Sequence, residues 1–265
     1  MRVDPRESLA RSALTVEGLC VERSGRIILR QLSARFEIGA VTVLVGPSGA
    51  GKTTLMNVLN GLLSPTCGRI MAPDIGLLAD VGQWARLRQD TATIFQDHAL
   101  IGRLCALDNV MLGMADSRHP LSPLPWPRAA RLRAAQALRD VGLLDRAFDR
   151  AETFSGGERQ RIGIARALAR HPRLLLGDEP FSSLDLPLAR RLGDDLRALA
   201  TRDGVTIVLA LHQIALARAL ADRIVGINAG QIAFDGPANS FDAAAEARIF
   251  DTPGRKLNEK FTEGH

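Results

Sequence analysis

Lys52 stands in the run Gly46-Pro47-Ser48-Gly49-Ala50-Gly51-Lys52-Thr53-Thr54, which satisfies the pattern G-x-x-x-x-G-K-[ST]. Glycines at these intervals let consecutive backbone N–H groups curve around phosphate oxygens at the amino terminus of a helix. Lys52 is then placed to reach the β- and γ-phosphates. Thr53 offers its hydroxyl to Mg²⁺, a hard cation that takes few protein oxygens and completes its octahedron with phosphate and water. The implied ligand is ATP or GTP. A second group, LLLGDEP from Leu174 to Pro180, ends an apolar run on two carboxylates. Asp178 can reach the magnesium shell of a neighbouring phosphate loop. Glu179, directly after it, is the candidate general base that polarises the water attacking the γ-phosphate, a task of placement and electrostatics.

A third group is Phe154-Ser155-Gly156-Gly157-Glu158. Ser155 as N-cap and Glu158 three residues later form a capping box for the helix that follows. The box does not account for Gly156 and Gly157, each of which costs about 1 kcal/mol relative to alanine inside a helix. Glycines in a first helical turn let backbone amides approach an anion.

These groups need elements to hold them. Leu32, Ala34, Phe36 and Ile38 alternate with polar residues, as in a half-exposed strand, whereas Val41–Val45 is a continuous apolar run, as in a buried one. The phosphate loop follows that run, and the spacing of LMNVLNGLL after it predicts a helix that stops near Gly61 or Pro65. Residues 91–95, 174–176 and 205–210 read as further strands, so parallel α/β crossovers are expected. Nearly eighty residues separate the strands at 91–95 and 174–176, with helical patterns at Arg128–Val141 and Ser155–Arg170. A helical subdomain inserted in the α/β core is the expectation. The four prolines between Ser117 and Arg128 make that stretch an extended connection.

Composition sets the remaining bounds. The 265 residues, 46% hydrophobic and 24% charged, suit one principal globular core and exclude wholesale disorder. The net charge of +5 admits nucleic acid, an anionic membrane surface or phosphate ligands without choosing among them. The charge-free stretch Thr53–Gly68, 16 residues with Asn57, Asn60 and Pro65, falls short of a spanning helix, which needs about 20 apolar residues. The amino terminus has no continuous apolar core and does not read as a secretory signal, so a cytosolic chain is expected. Cys20, Cys67 and Cys105 form no C-x-x-C, and reduced, mostly buried thiols are expected in place of a disulfide framework or zinc site.

Taken in order, the phosphate loop, FSGGE, LLLGDEP, SSLD and a later LALHQ resemble the ATP-binding subunits of ABC transporters, over roughly residues 14–237. The resemblance implies a P-loop NTPase core of α/β class with an antiparallel β subdomain and an inserted α-helical subdomain at about 97–170, flanked by terminal extensions 1–13 and 238–265. It further implies ATP and Mg²⁺ as ligands, and a dimer in which each ATP lies between the phosphate loop of one copy and Ser155-Gly156-Gly157, with Glu158, of the other. Gln96 matches the family's Q-loop glutamine, implied to sense Mg²⁺ and the attacking water and to relay closure to membrane partners. Asp185 matches an aspartate at the dimer interface, and His212 a switch histidine at the γ-phosphate. His98, His119, His171 and His265 match nothing. Phe154 and Glu158 replace the commoner leucine and glutamine; Gly177 is smaller than usual, and no mechanistic reason for it is legible. The chain has no tyrosine. Arg23 lies near the position of the family's adenine-stacking ring, and either stacks on the base or is a solvated surface arginine.

Within that family, IFQDHALIGRL from Ile94 to Leu104, the proline-tryptophan insertion around Trp126, and the segments near Leu211 and Phe234 are similar to phosphonate-importer ATP-binding subunits. Such subunits pair with transmembrane permeases and, indirectly, a periplasmic solute-binding protein, at the cytoplasmic face of the inner membrane, with no nucleic acid involved. Trp126 serves either such a partner or the packing of the helical subdomain. Another small-molecule importer or a lipoprotein-releasing exporter stays open. So does a soluble cassette acting on DNA or ribosomes, although Arg159, Arg161, Arg166 and Arg170 read most simply as a solvated helix face. The third alternative is a nucleotide-binding module without turnover, against which Lys52, Glu179 and His212 all stand.

Overall fold

The computed structural model describes residues 12–97, 99–117 and 125–250. His98, His119, His265, the first eleven residues and the stretch after Phe250 lie outside the described residues, as does most of the proline-rich connection.

Two sheets form the frame. One is antiparallel, in the order β2 (Arg26–Glu37), β1 (Ser12–Arg23), β4 (Cys67–Ala72), β5 (Gly76–Leu77). The other has six strands in the order β10 (Gln231–Pro237), β9 (Arg223–Asn228), β3 (Val41–Val45), β8 (Thr206–Ala210), β7 (Leu174–Asp178), β6 (Thr91–Ile94). Its pairs are parallel except β10 with β9. The central strands are apolar throughout because both faces are covered. Val41, Val43 and Val45 join the core on the helical side, while Leu44 joins the core shared with the antiparallel sheet. That alternation is the strand period of two, read here in two buried layers.

Helix α1 (Lys52–Leu59) follows β3 and is capped at Asn60, close to the expected stop. Then come α2 (Val81–Gln89), α3 (Ala106–Met111), α4 (Arg128–Asp140), α5 (Gly156–Leu168), α6 (Leu186–Asp203), α7 (Ile214–Leu220) and α8 (Ala243–Phe250). Helices α3, α4 and α5 lie between β6 and β7 in the chain and pack on one another. Trp126 is packed against the core on that side, the anchoring alternative for this residue. Leu32, Ala34 and Phe36 are buried as their alternation predicts, whereas Ile38 falls beyond the end of β2 and is exposed.

Two expectations need correction. Cys20 and Cys67 are not separate buried thiols: they sit opposite each other on β1 and β4 with their sulfurs joined, and Cys67 is exposed. A separation of 47 residues hides a contact that only the strand register creates. Cys105 is free and caps α3, its sulfur accepting from Asp108 N.

Nor do the arginines of α5 and of the turn after it form a solvated face. Arg159 donates to Phe154 O, Arg161 to Val141 O and Arg166 to Ala99 O. Arg170 donates to the carbonyls of Arg88, Gln89 and Gly113 and pairs with Asp116. All four are half-buried. Their forked guanidiniums donate to carbonyls at the ends of neighbouring segments.

Candidate functional site

Register alone brings the candidate residues to one edge. Across the sheet Leu44 pairs with Ala210, Ala210 with Asp178, and Gly177 with Ile94. The parallel strands therefore end level, and the phosphate loop after β3, Gln96 after β6, Glu179 after β7 and His212 after β8 all emerge at their carboxyl ends. Ligands of open parallel sheets bind at that edge.

Gly46, Gly49 and Gly51 of the loop take positive φ values of 154°, 79° and 108°. A Cβ at Gly51 would come within 2.6 Å of Leu29 Cδ2, so the turn into α1 fits only glycine. Pro47, Ser48 and Ala50 fill the positions between these turns, and Thr54 follows in the first turn of α1. Lys52 is 6% exposed and folds back on the loop, its Nζ donating to Gly46 O at 2.7 Å and Pro47 O at 3.2 Å. Burial pulls its ammonium below the ordinary lysine range, opposed by the charges of Glu179 and Asp178.

Burial likewise pushes the Asp178 carboxyl above its usual value, opposed by the hydrogen bond from the Thr53 hydroxyl. Asp178 Oδ1 is buried and, among the described residues, has no hydrogen-bond partner. A carboxylate oxygen left over beside a threonine hydroxyl, with Lys52 close enough to act on both acids, fits a magnesium ion. Mg²⁺ takes one or two carboxylates and draws its other oxygens from phosphate and water.

Glu179 is held from both sides. His212 Nε2 lies 2.5 Å from its Oε1, and Gln96 Nε2 donates to its Oε2 at 3.5 Å. Its backbone sits at φ 50°, in the left-handed region, a setting that costs a non-glycine residue about 1–3 kcal/mol. Its N–H donates to Ala210 O on the neighbouring strand, which fixes the turn. Gly177 now has a reason: a Cβ there would meet Leu209 Cδ2 at 2.8 Å and Pro180 Cγ at 3.2 Å, so the missing side chain lets Pro180 close the turn that aims Glu179. A small hollow of about 200 Å³ opens at Glu179, Ser182 and His212. Larger ones, of about 680 and 700 Å³, lie at the opposite ends of the strands around Arg173 and Gly204, away from the carboxylates. Convergent polar groups, not volume, mark the site.

The remaining candidates form a separate group. Ser155 caps α5, its Oγ accepting from Glu158 N while Glu158 Oε2 accepts from Ser155 N, which is the expected box. Backbone and side-chain bonds to Ser155 and the Arg146 guanidinium hold the Glu158 carboxyl below its ordinary range. Arg146 also lies over the Phe154 ring at 4.1 Å from its centroid. One arginine thus uses both departures from the commoner signature, and nothing local in the sequence announces it. A Cβ at Gly157 would come within 2.8 Å of Ser183 O, whereas one at Gly156 would meet nothing within 4 Å. Asp185 caps α6, accepting from Leu188 N at 2.9 Å. Arg23 is exposed at the turn between β1 and β2, opposite Arg26.

Gln160 was missed by the sequence reading. It is fully buried, and its Nε2 donates to Pro180 O at 2.8 Å, joining α5 to the turn after Glu179. A glutamine on the apolar face of a helix was the available signal, since buried amides require partners. Among the described residues no hydrogen bond joins residues 155–158 to the phosphate loop; within one chain the two groups stand apart.

The family model for ABC transporters matches residues 29–182. The chain is 59% identical over 237 residues to the phosphonates import ATP-binding protein PhnC 2 of Rhodopseudomonas palustris, covering 89% of this chain and 84% of that one. It is 42% identical to the phosphite import ATP-binding protein PxtA of Stutzerimonas stutzeri, covering 90% and 87%. Among solved structures, the dimeric post-hydrolysis state of the ATP-binding cassette MJ0796 bound to ADP and Pi superposes with a TM-score of 0.76 at 29% identity, over 85% of this chain and 98% of that one. The level strand ends, the phosphate loop and the paired carboxylates agree with these likenesses: the chain belongs to the ABC transporter family and has the fold of its ATP-binding cassettes.

Proposed function

We propose that this chain is the ATP-hydrolysing subunit of an importer for phosphonate or a chemically similar small anion. The observation that carries the catalytic part is the Glu179 carboxylate, gripped by His212 and Gln96 at the strand edge that also bears the phosphate loop. In this reading residues 46–54 cradle the phosphates of ATP, with Lys52 turning from its own loop carbonyls to the β/γ oxygens. Thr53, Asp178 and Gln96 hold Mg²⁺, which neutralises phosphate charge when bound. Glu179 accepts a hydrogen bond from the attacking water and takes its proton. His212 keeps the carboxylate aimed and contacts the γ-phosphate.

Ser155, Gly156, Gly157 and Glu158, with Asp185, serve the site of a second copy, so two ATP molecules close a dimer and hydrolysis reopens it. Arg23 is the candidate for adenine stacking. The cassette is assigned to residues 14–237 with a helical subdomain at about 97–170, and Gln96 and that subdomain couple closure to permease loops. Among the described residues no helix is long and apolar enough to cross a membrane. In this reading separate transmembrane permeases form the path, and this subunit sits at the cytoplasmic face of the inner membrane. A periplasmic binding protein would deliver the solute, which never touches the ATPase. The likeness to phosphonate and phosphite import proteins supports this substrate class, because no residue of the site can read it.

The test is reconstitution with the permease encoded beside it. ATP hydrolysis is measured against binding protein loaded with phosphonate, phosphate or another anion. Stimulation by the phosphonate-loaded protein is expected; stimulation by another solute alone would discard the substrate assignment and keep the ATPase mechanism.

A further inference from the structure

The Cys20–Cys67 contact takes no part in the nucleotide site. It is built by the backbone around it. Along β1 and β4 the register runs Val16 with Ile70 and Glu17 with Arg69, then slips at Gly18 before Cys20 meets Cys67. Gly18 takes φ 58° and its N–H donates to Ser33 Oγ on β2, which fixes the bulge. Gly68 takes φ 89°, and a Cβ there would lie 2.5 Å from Gly18 O and 2.7 Å from Glu17 O. Only glycine at 68 lets the strands approach so closely. Thr66 closes the other side: its N–H donates to Cys20 O at 2.8 Å, and its Oγ1 accepts from Glu22 N at 2.9 Å. The two cysteine Cα atoms are consequently 4.9 Å apart, within the range a disulfide requires.

Both sulfurs lie near the Gly18 carbonyl oxygen, at 3.7 Å for Cys20 and 3.6 Å for Cys67. Cys67 is exposed, open to a reagent from solution, while Cys20 is half-buried behind it. That asymmetry suits sequential exchange, with an outer thiol that is attacked and an inner one that resolves the mixed disulfide.

We propose that Cys20 and Cys67 form a reversible thiol–disulfide site that clamps the segment leaving α1 to strand β1. With a small-molecule disulfide such as oxidised glutathione, the Cys67 thiolate attacks one sulfur and expels one glutathione thiolate. The Cys20 thiolate then attacks the Cys67 sulfur of the mixed disulfide and expels the second. Two protein thiols lose two electrons and two protons; one glutathione disulfide gains them and becomes two thiols. Closing the bond joins residues 47 positions apart, so it restricts the unfolded chain and raises thermal stability. The site also stiffens the path from the end of α1 to the turn that carries Arg23.

The full-length chain is equilibrated in glutathione buffers of rising oxidised fraction, quenched by alkylation, digested and weighed. The expected product is a Cys20–Cys67 linked peptide that disappears on adding dithiothreitol, with Cys105 alkylated throughout. The oxidised form should melt roughly 5 °C or more above the reduced form. Cys105→Ser keeps both effects; Cys67→Ser, at an exposed position, loses both. Cys20 and Cys67 remaining free in excess oxidised glutathione would overturn the proposal. So would a stable glutathione adduct on Cys67 that never closes, or a link to Cys105.

Discussion

The phosphate-loop edge and the turn at Ser155 are both glycine-rich and both begin helices, yet they are finished differently. At the edge, polar groups point at one another: Lys52 at loop carbonyls, Thr53 at Asp178, His212 and Gln96 at Glu179. At the signature turn the side chains of Ser155 and Glu158 are used up in the capping box, and Gly156 faces open space. Internal packing explains Gly157, which lies against Ser183 O, and does not explain Gly156. A glycine that costs helix stability and has no neighbour inside its own chain supports a role toward something outside it. In the proposed function, the first region does the chemistry once loaded, and the second serves the site of a second copy.

That contrast can be broken or sharpened by substitution. The largest effect is expected for Glu179→Gln, which keeps the shape and removes the base: turnover falls roughly 10²- to 10⁴-fold with ATP affinity preserved, as single-turnover hydrolysis and equilibrium binding would read. Unchanged turnover would remove Glu179 from the mechanism. Next comes Gly156→Asp, which sets a carboxylate where a phosphate is expected. Like charges so placed cost several kcal/mol, so turnover should fall by roughly 100-fold while a single copy still binds ATP. If binding by the isolated subunit fell as much as turnover, the division between the two regions would be wrong.

Lys52→Ala should weaken ATP binding by roughly 10- to 100-fold, the range for a lost hydrogen bond to a charged group; calorimetric titration measures it. Gly177→Leu tests the turn that aims Glu179. Overpacking against Leu209 and Pro180 should cost about 1–3 kcal/mol, visible as a lower Tm. Smallest is Arg146→Ala, which loosens Phe154 and Glu158 at a partly exposed pair and should lower the midpoint of a denaturant titration only slightly. The capping box between Ser155 and Glu158 should persist.

Much of this was legible because the motifs are local. Strand, loop and helix around Lys52 follow from an apolar run, three glycines and a helical spacing. The box at Ser155 and the acids at 178 and 179 sit within a few residues of the elements that hold them. Contacts made by register or by long arginines left no such trace. Cys20 meets Cys67, Gln160 meets Pro180 and Arg146 meets Phe154 and Glu158 only after distant segments pair. The arginines of α5 and of the turn after it were misread because a charged residue every few positions resembles a wet face, while each in fact reaches a carbonyl of another segment. Gly177 was unexplained for the same reason: its constraint comes from Leu209 on the neighbouring strand.

The most direct test of a site assembled from two copies is complementation. Lys52→Ala and Gly156→Asp chains are each purified, mixed in equal amounts with Mg²⁺ and ATP, and assayed for hydrolysis. A mixed dimer contains one site with both Lys52 and Gly156 intact, so turnover should rise well above that of either variant alone. Activity no greater than the average of the two separate preparations would contradict the account and place the whole reaction within a single chain.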